Sequence, residues 1–77
     1  MEYKFSDKLD CRGQLCPVPV LMTEEKIHDM KKGQTLEVAF TDPGAVPDLT
    51  AWCKVAGHEL LGFKKNRTES FAIIRKK

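Results

Sequence analysis

The sequence predicts a small α/β protein: an α+β two-layer sandwich of order β-α-β-α-β-β, with a four-stranded mixed sheet and two helices on one face. Three observations carry this. Leu36, Val38 and Phe40 alternate with Thr35, Glu37, Ala39 and Thr41, the period of a half-buried strand. Val20, Thr23, Ile27 and Met30 recur at helical spacing behind a proline-marked start. Two further strand-like runs, 58–64 and 71–75, flank a polar loop at the C-terminus. The chain has 77 residues, enough for one domain, 1–77. A chain of this size buries only a thin core, so its chemistry is expected near the surface.

Each element has a local reason. Tyr3, Phe5 and Leu9 fall on one face of an alternating segment, with Lys4, Ser6 and Lys8 on the other, while Asp7 interrupts the apolar face. Residues 10–15 read as a loop marked by Gly13. Cys16 precedes Pro17. A residue before proline avoids the helical region, and proline suits the first helical position. Cys16 is therefore expected as N-cap, Pro17 as N1 and Pro19 as N3, where no intrahelical bond is lost. Gly33 is expected to end this helix, with Lys31 and Lys32 in its last turn, where the dipole favours cations.

Asp42-Pro43-Gly44 is a turn. The second helix has two candidate starts. A start capped by Asp42 would place Pro47 inside the helix, so the start at Pro47 is preferred. Leu49, Trp52, Cys53 and Ala56 form its apolar stripe, and Gly57 its stop. The polar stretch 65–69 joins the last two strands as a hairpin.

Composition excludes several classes. Thirteen basic and eleven acidic residues give a formal net charge of +2. The basic residues gather at Lys64, Lys65 and Arg67 and at Arg75, Lys76 and Lys77, without interleaved aromatics, so no direct nucleic-acid partner is expected. The opening residues lack an apolar signal-peptide core, and no apolar run is long enough to span a membrane. A cytoplasmic location with reduced thiols follows as the expectation. Three cysteines, an odd number, leave at least one thiol to explain.

Cys16 is the leading candidate nucleophile. A helix N-terminus favours the thiolate through its free N–H groups and dipole. Pro17 and Pro19 lack N–H groups, so of the first three helical residues only Val18 can donate one, and the thiolate should gain less than at an ordinary helix start. The prolines add rigidity instead. The alternative for Cys16 is a small apolar residue buried at a helix start.

Its neighbours have alternatives too. Arg12 could supply positive charge to a thiolate or an incoming anion, or simply be solvated. Asp10 is expected to cap a turn. Cys11, with a Cys-x4-Cys spacing to Cys16, is a candidate resolving thiol in a thiol-disulfide switch, although the spacing is not that of the Cys-x-x-Cys redox motif. Cys53 is expected in the core. Cys11, Cys16, Cys53 and His58 invite a zinc reading, which the loose x4 spacings and the core position of Cys53 disfavour. No metal and no cofactor are expected.

Leu9-Asp10, Gly13 and Cys16-Pro17-x-Pro19 together resemble the opening of the TusA (SirA/YedF-like) sulfur-carrier family. Asp42-Pro43, Asp48-Leu49, Cys53 and His58-Glu59-Leu60 fall where that family has similar residues, and the likeness covers roughly residues 9–77. The resemblance implies a two-layer sandwich of the order read above. It also implies a sulfurtransferase-type carrier whose Cys16 accepts sulfane sulfur as a persulfide. The donor would be a cysteine desulfurase or rhodanese-like protein. A relay protein would take the sulfur on, for tRNA thiolation, cofactor synthesis or sulfur oxidation. Cys11 departs from the family's core motif and leaves room for a branch handling a different sulfur or selenium substrate. The competing class is a non-enzymatic regulatory or adaptor module in which Cys16 is only a helix cap.

Overall fold

The computed structural model describes residues 7–15 and 17–77. Tyr3 and Phe5 of the first expected strand, and Cys16 itself, lie outside the described residues. The elements run β1 (Asp7–Cys11), α1 (Val18–His28), β2 (Thr35–Phe40), α2 (Ala45–Ala56), β3 (Glu59–Lys65) and β4 (Ser70–Arg75), in the expected order.

The sheet order is β1-β2-β4-β3. β1 pairs parallel with β2, which obliges a crossover, and α1 supplies it. β4 lies between β2 and β3, antiparallel to both, so the sheet is mixed. One face carries Leu9 and Cys11 of β1, Leu36, Val38 and Phe40 of β2, Ala72 and Ile74 of β4, and Leu60 of β3, brought together by the register. Against it pack Ile27 and Met30 from α1 and its end, and Ala45, Leu49 and Cys53 from α2. Each large side chain so buried stabilises the fold by about 1.5–3 kcal/mol relative to exposure. The molecule measures 30 × 27 × 18 Å, and the short axis is the thickness of one sheet and one helix layer. Ala72, Ile73 and Ile74 are consecutive and all buried; Ala72 and Ile74 face the helices and Ile73 the opposite side of the sheet.

Four element boundaries differ from the sequence reading. β1 continues through residue 10 to Cys11, because Asp10 and Cys11 pair with Ala39 and Phe40. The loop therefore begins at Arg12. Helix α1 starts one residue later than expected: Pro17 is its N-cap, Val18 N1 and Pro19 N2. The reason is a turn in which the Val18 N–H donates to the Leu15 carbonyl (2.9 Å), leaving the Pro17 carbonyl to accept from Val20 and Leu21. The same helix ends at His28 rather than at Gly33. Asp29 and Met30 donate to Lys26 and Ile27, tightening the last turn into three-residue spacing. Gly33, at φ +86°, instead serves a separate turn in which the Gln34 side chain accepts the Lys31 N–H. Its own N–H donates to the Lys76 carbonyl (2.8 Å), joining that turn to the end of β4.

Helix α2 begins at Ala45, not at Pro47. The Asp42 carboxylate accepts the Gly44 N–H, and the Asp42 and Pro43 carbonyls accept from Ala45 and Val46. Pro47 is then the third helical residue, a position whose N–H has no intrahelical partner to lose. Gly57 does end α2, in the left-handed region at φ +82°. In the expected stripe of α2, Leu49 and Cys53 are buried and Trp52 half-buried, but Ala56 is exposed. Along α1, Thr23 and Ile27 are buried as expected, and the Thr23 hydroxyl donates to the Pro19 carbonyl (2.7 Å).

Candidate functional site

Parallel pairing of β1 and β2 brings their C-terminal ends to one edge of the sheet. The loop 12–17 and the turn 41–44 leave from that edge, and both helices begin there. The first loop is pinned on two sides. Gly13, at φ +79°, donates its N–H to the Thr41 hydroxyl (2.9 Å), which ties the loop to the end of β2. The Gln14 N–H closes the turn on the Cys11 carbonyl (3.2 Å). Positive φ at Gly13 is a conformation that a side chain would strain, so glycine has a local reason here.

Arg12 forms the second anchor. Its guanidinium forks onto the Asp10 carboxylate, Nε to Oδ1 at 2.9 Å and Nη2 to Oδ2 at 3.0 Å. Its remaining nitrogen, Nη1, donates to Glu69 Oε2 at 3.2 Å, in the turn between β3 and β4. The hydrogen bonds and charge of Arg12 hold the Asp10 carboxyl down to about 2. Asp10 also accepts the Arg12 backbone N–H (3.0 Å), so it caps the turn as expected. Arg12 is thereby surrounded by two carboxylates. Both carboxylates pair with its charge, and through them Arg12 braces the loop.

The helix start offers few donors. Pro17 and Pro19 have none, and the Val18 N–H, the one donor expected to be free, is already bonded to Leu15. Among the described residues no side chain caps the helix, and its first turn carries no acidic residue. Leu15 is 74% exposed and Pro17 is exposed, so the chain on either side of Cys16 faces solvent.

The other two thiols are placed differently. Cys11 is 0% exposed, in the core at the end of β1. Burial, with a smaller contribution from the Asp10 charge, pushes its thiol up to about 11. Cys53 is buried on α2 as expected, and burial pushes its thiol up to about 11 as well. A resolving thiol works best when accessible and readily ionised, and Cys11 is buried with its thiol raised. His58 is half-buried. It lies against Trp52, ring centroids 5.3 Å apart, and its Nδ1 accepts the Lys77 N–H. Burial, and then the Lys76 charge, lower its pKa. Among the described residues no group of three or more His, Cys, Asp or Glu side chains is placed to hold a metal ion.

The sequence reading missed Thr41 and Glu69 as anchors of the loop. Thr41 carried a weak signal, a hydroxyl residue at a strand end. Glu69 carried none, because its partner lies far away in the chain.

Comparison with known proteins gives the family. The model of the sulfurtransferase TusA family matches residues 7–77. The sulfur carrier protein TusA of Allochromatium vinosum is 38% identical over 72 residues, covering 94% of this chain and 95% of that protein. TusA of Pseudomonas syringae pv. syringae is 37% identical over 70 residues, covering 91% and 83%. Longer proteins match too: the chain spans 29% of YrkF of Bacillus subtilis, with 46% identity over 54 residues covering 70% of this chain. Among solved structures, a SirA-like protein from Desulfitobacterium hafniense superposes with a TM-score of 0.69 at 22% identity, covering 92% of this chain and 99% of that one, a likeness of fold. The chain belongs to the TusA sulfurtransferase family.

Proposed function

We propose that this protein is a sulfur carrier in which Cys16 alone receives and releases the sulfur. Relatives named sulfur carrier proteins support the role. The observation that carries the single-thiol reading is the withdrawal of Cys11 and Cys53 into the core, with both thiols pushed up to about 11. Cys16 remains, and the residues before and after it, Leu15 and Pro17, are exposed.

The chemistry is a two-step transfer. The Cys16 thiolate attacks the outer sulfur of a donor persulfide. A new S–S bond forms at Cys16, the donor's S–S bond breaks, and its electron pair leaves on the donor thiolate. Cys16 then holds the sulfur as a persulfide. An acceptor thiolate takes the outer sulfur by the same step, and Cys16 leaves as thiolate. No external oxidant or reductant is needed.

The donor in this reading is a cysteine desulfurase or rhodanese-like protein and the acceptor a further relay protein, feeding tRNA thiolation, cofactor synthesis or sulfur oxidation. A reducing compartment, the cytoplasm, suits a carrier that must keep its thiol free. Among the described residues no helix is long and apolar enough to cross a membrane.

The test is intact-mass spectrometry after incubation with a persulfide donor. A gain of one sulfur, removed by reductant and absent from Cys16→Ser, is the expected result. The adaptor alternative requires Cys16→Ser to keep cellular function; a deletion-like phenotype for that variant excludes it.

A further inference from the structure

The turn in front of Cys16 has a type, and its backbone identifies it. The Gln14 N–H closes on the Cys11 carbonyl, so Arg12 and Gly13 are the two central residues. Gly13 has φ +79°, and no described residue other than glycine has a positive φ, so that of Arg12 is negative. A negative φ followed by a positive one is the type II pattern. Type I turns share the closing bond, but the peptide between the central residues is turned over. Glycine permits both forms. Nothing lies within 4 Å of where a Gly13 Cβ would sit, so the glycine answers to backbone conformation and not to crowding. The two forms differ in where the Gly13 N–H points, and in this structure it points to Thr41 Oγ1 at 2.9 Å.

We infer that Thr41 is a positioning residue for sulfur transfer: its hydroxyl holds the Arg12–Gly13 peptide in one of two orientations and so fixes the loop that leads to Cys16. The inference rests on the sulfur-carrier reading. Thr41 stands on fixed backbone. It follows Phe40, the buried last residue of β2, and precedes the turn in which the Asp42 carboxylate accepts the Gly44 N–H (3.0 Å). The ion pairs of Arg12 do not replace this hold, because that side chain leaves the turn ahead of the peptide and pairs in the open. Without the hydroxyl the turn exchanges between two forms. A protein that grips the loop then meets the fitting form only part of the time, and its apparent affinity falls by that fraction. A small persulfide reaches the thiol without gripping the loop and loses nothing.

Two variants test this. Thr41→Val keeps the side-chain shape and removes the acceptor; Thr41→Ser keeps the acceptor. Sulfur loading is followed by intact mass with glutathione persulfide, with a cysteine desulfurase fed cysteine, and with a rhodanese fed thiosulfate. From the protein donor that loads the wild type faster, Thr41→Val is expected to load about two- to tenfold more slowly, the range that one hydrogen bond spans. Thr41→Ser should load like the wild type, and all three should load alike from glutathione persulfide. Hydrogen exchange of the Gly13 amide, read by NMR, should quicken in Thr41→Val and not in Thr41→Ser. Thr41 is exposed, so both variants should fold; unchanged exchange of the β2 and β4 amides checks this. The inference is overturned if Thr41→Val loads from the protein as fast as the wild type, if both routes slow equally, or if Thr41→Ser is as slow as Thr41→Val. It is also overturned if Gly13 exchange is unchanged in Thr41→Val, or if the wild type loads from glutathione persulfide but from neither protein. A wild type that loads from none of the three donors overturns the sulfur-carrier reading itself.

Discussion

Alkylation kinetics at pH 8 should separate the three thiols, and the size of the separation follows from their burial. Cys11 and Cys53 have thiols raised from 9.0 to about 11 by burial. Two pH units reduce the thiolate fraction about 100-fold at pH 8, and only the thiolate reacts. Access lowers the rate further, since Cys11 is 0% and Cys53 2% exposed. Reaction through opening is limited as well, because a domain stable by about 5 kcal/mol is open only a few parts in ten thousand of the time. Both routes therefore put Cys11 and Cys53 at least about 100-fold behind an unperturbed thiol. The assay is quenched iodoacetamide labelling with peptide mapping, run on the native protein and in denaturant. Cys16 should label fast in both, and Cys11 and Cys53 fast only in denaturant. Labelling of native Cys11 within about tenfold of Cys16 would show that burial does not protect it and restore Cys11 as a candidate resolving thiol.

Three further outcomes follow from the same structure. Stability should fall between about pH 9 and 11: the unfolded state releases the Cys11 and Cys53 protons at its ordinary pKa, the native state holds them, and unfolding is favoured by about 2–3 kcal/mol per thiol by pH 11; denaturant melts across this range check it, with Cys11→Ala and Cys53→Ala flattening the slope. Arg12→Ala should shift denaturant melts little, because Arg12 and Asp10 are exposed and water screens their pair, with Glu69 only half-buried. It should also leave the pH profile of Cys16 alkylation unmoved, since its charge is already balanced by Asp10 and Glu69; a clear rise in the midpoint would show that Arg12 does serve the thiolate. Gly57→Ala, at φ +82° with open space where its Cβ would sit, should destabilise the domain by about 1 kcal/mol of backbone strain, read from the same melts.

How much of this was legible in the sequence depends on the range of the interaction. The face of β2 was readable because Leu36, Val38 and Phe40 follow a period of two, and each is buried. Gly57 was readable because a helix stop is a local backbone need. Helix ends set by side-chain-to-backbone bonds were not: Asp42 and Gln34 moved the start of α2 and the turn after α1. Cys11 read as a loop residue because Asp10 and Gly13 are turn formers. Pairing with Phe40 extends the strand over it, and that pairing is visible only in the sheet. The Arg12 contact to Glu69 was hidden for a similar reason, as the two are 57 residues apart. The resemblance named the chemistry at Cys16, while the fold buries the other two thiols and identifies what braces the loop.

The central claim, that a single thiol carries the sulfur, is tested most directly by loading three proteins with glutathione persulfide: the wild type, Cys16→Ser, and Cys11→Ala/Cys53→Ala. Intact mass with peptide mapping reads the adduct. One reducible sulfur is expected on the wild type, none on Cys16→Ser, and one on the double variant wherever it remains folded. A sulfur adduct that persists on Cys16→Ser, mapped to Cys11 or Cys53 in the native protein, would contradict it.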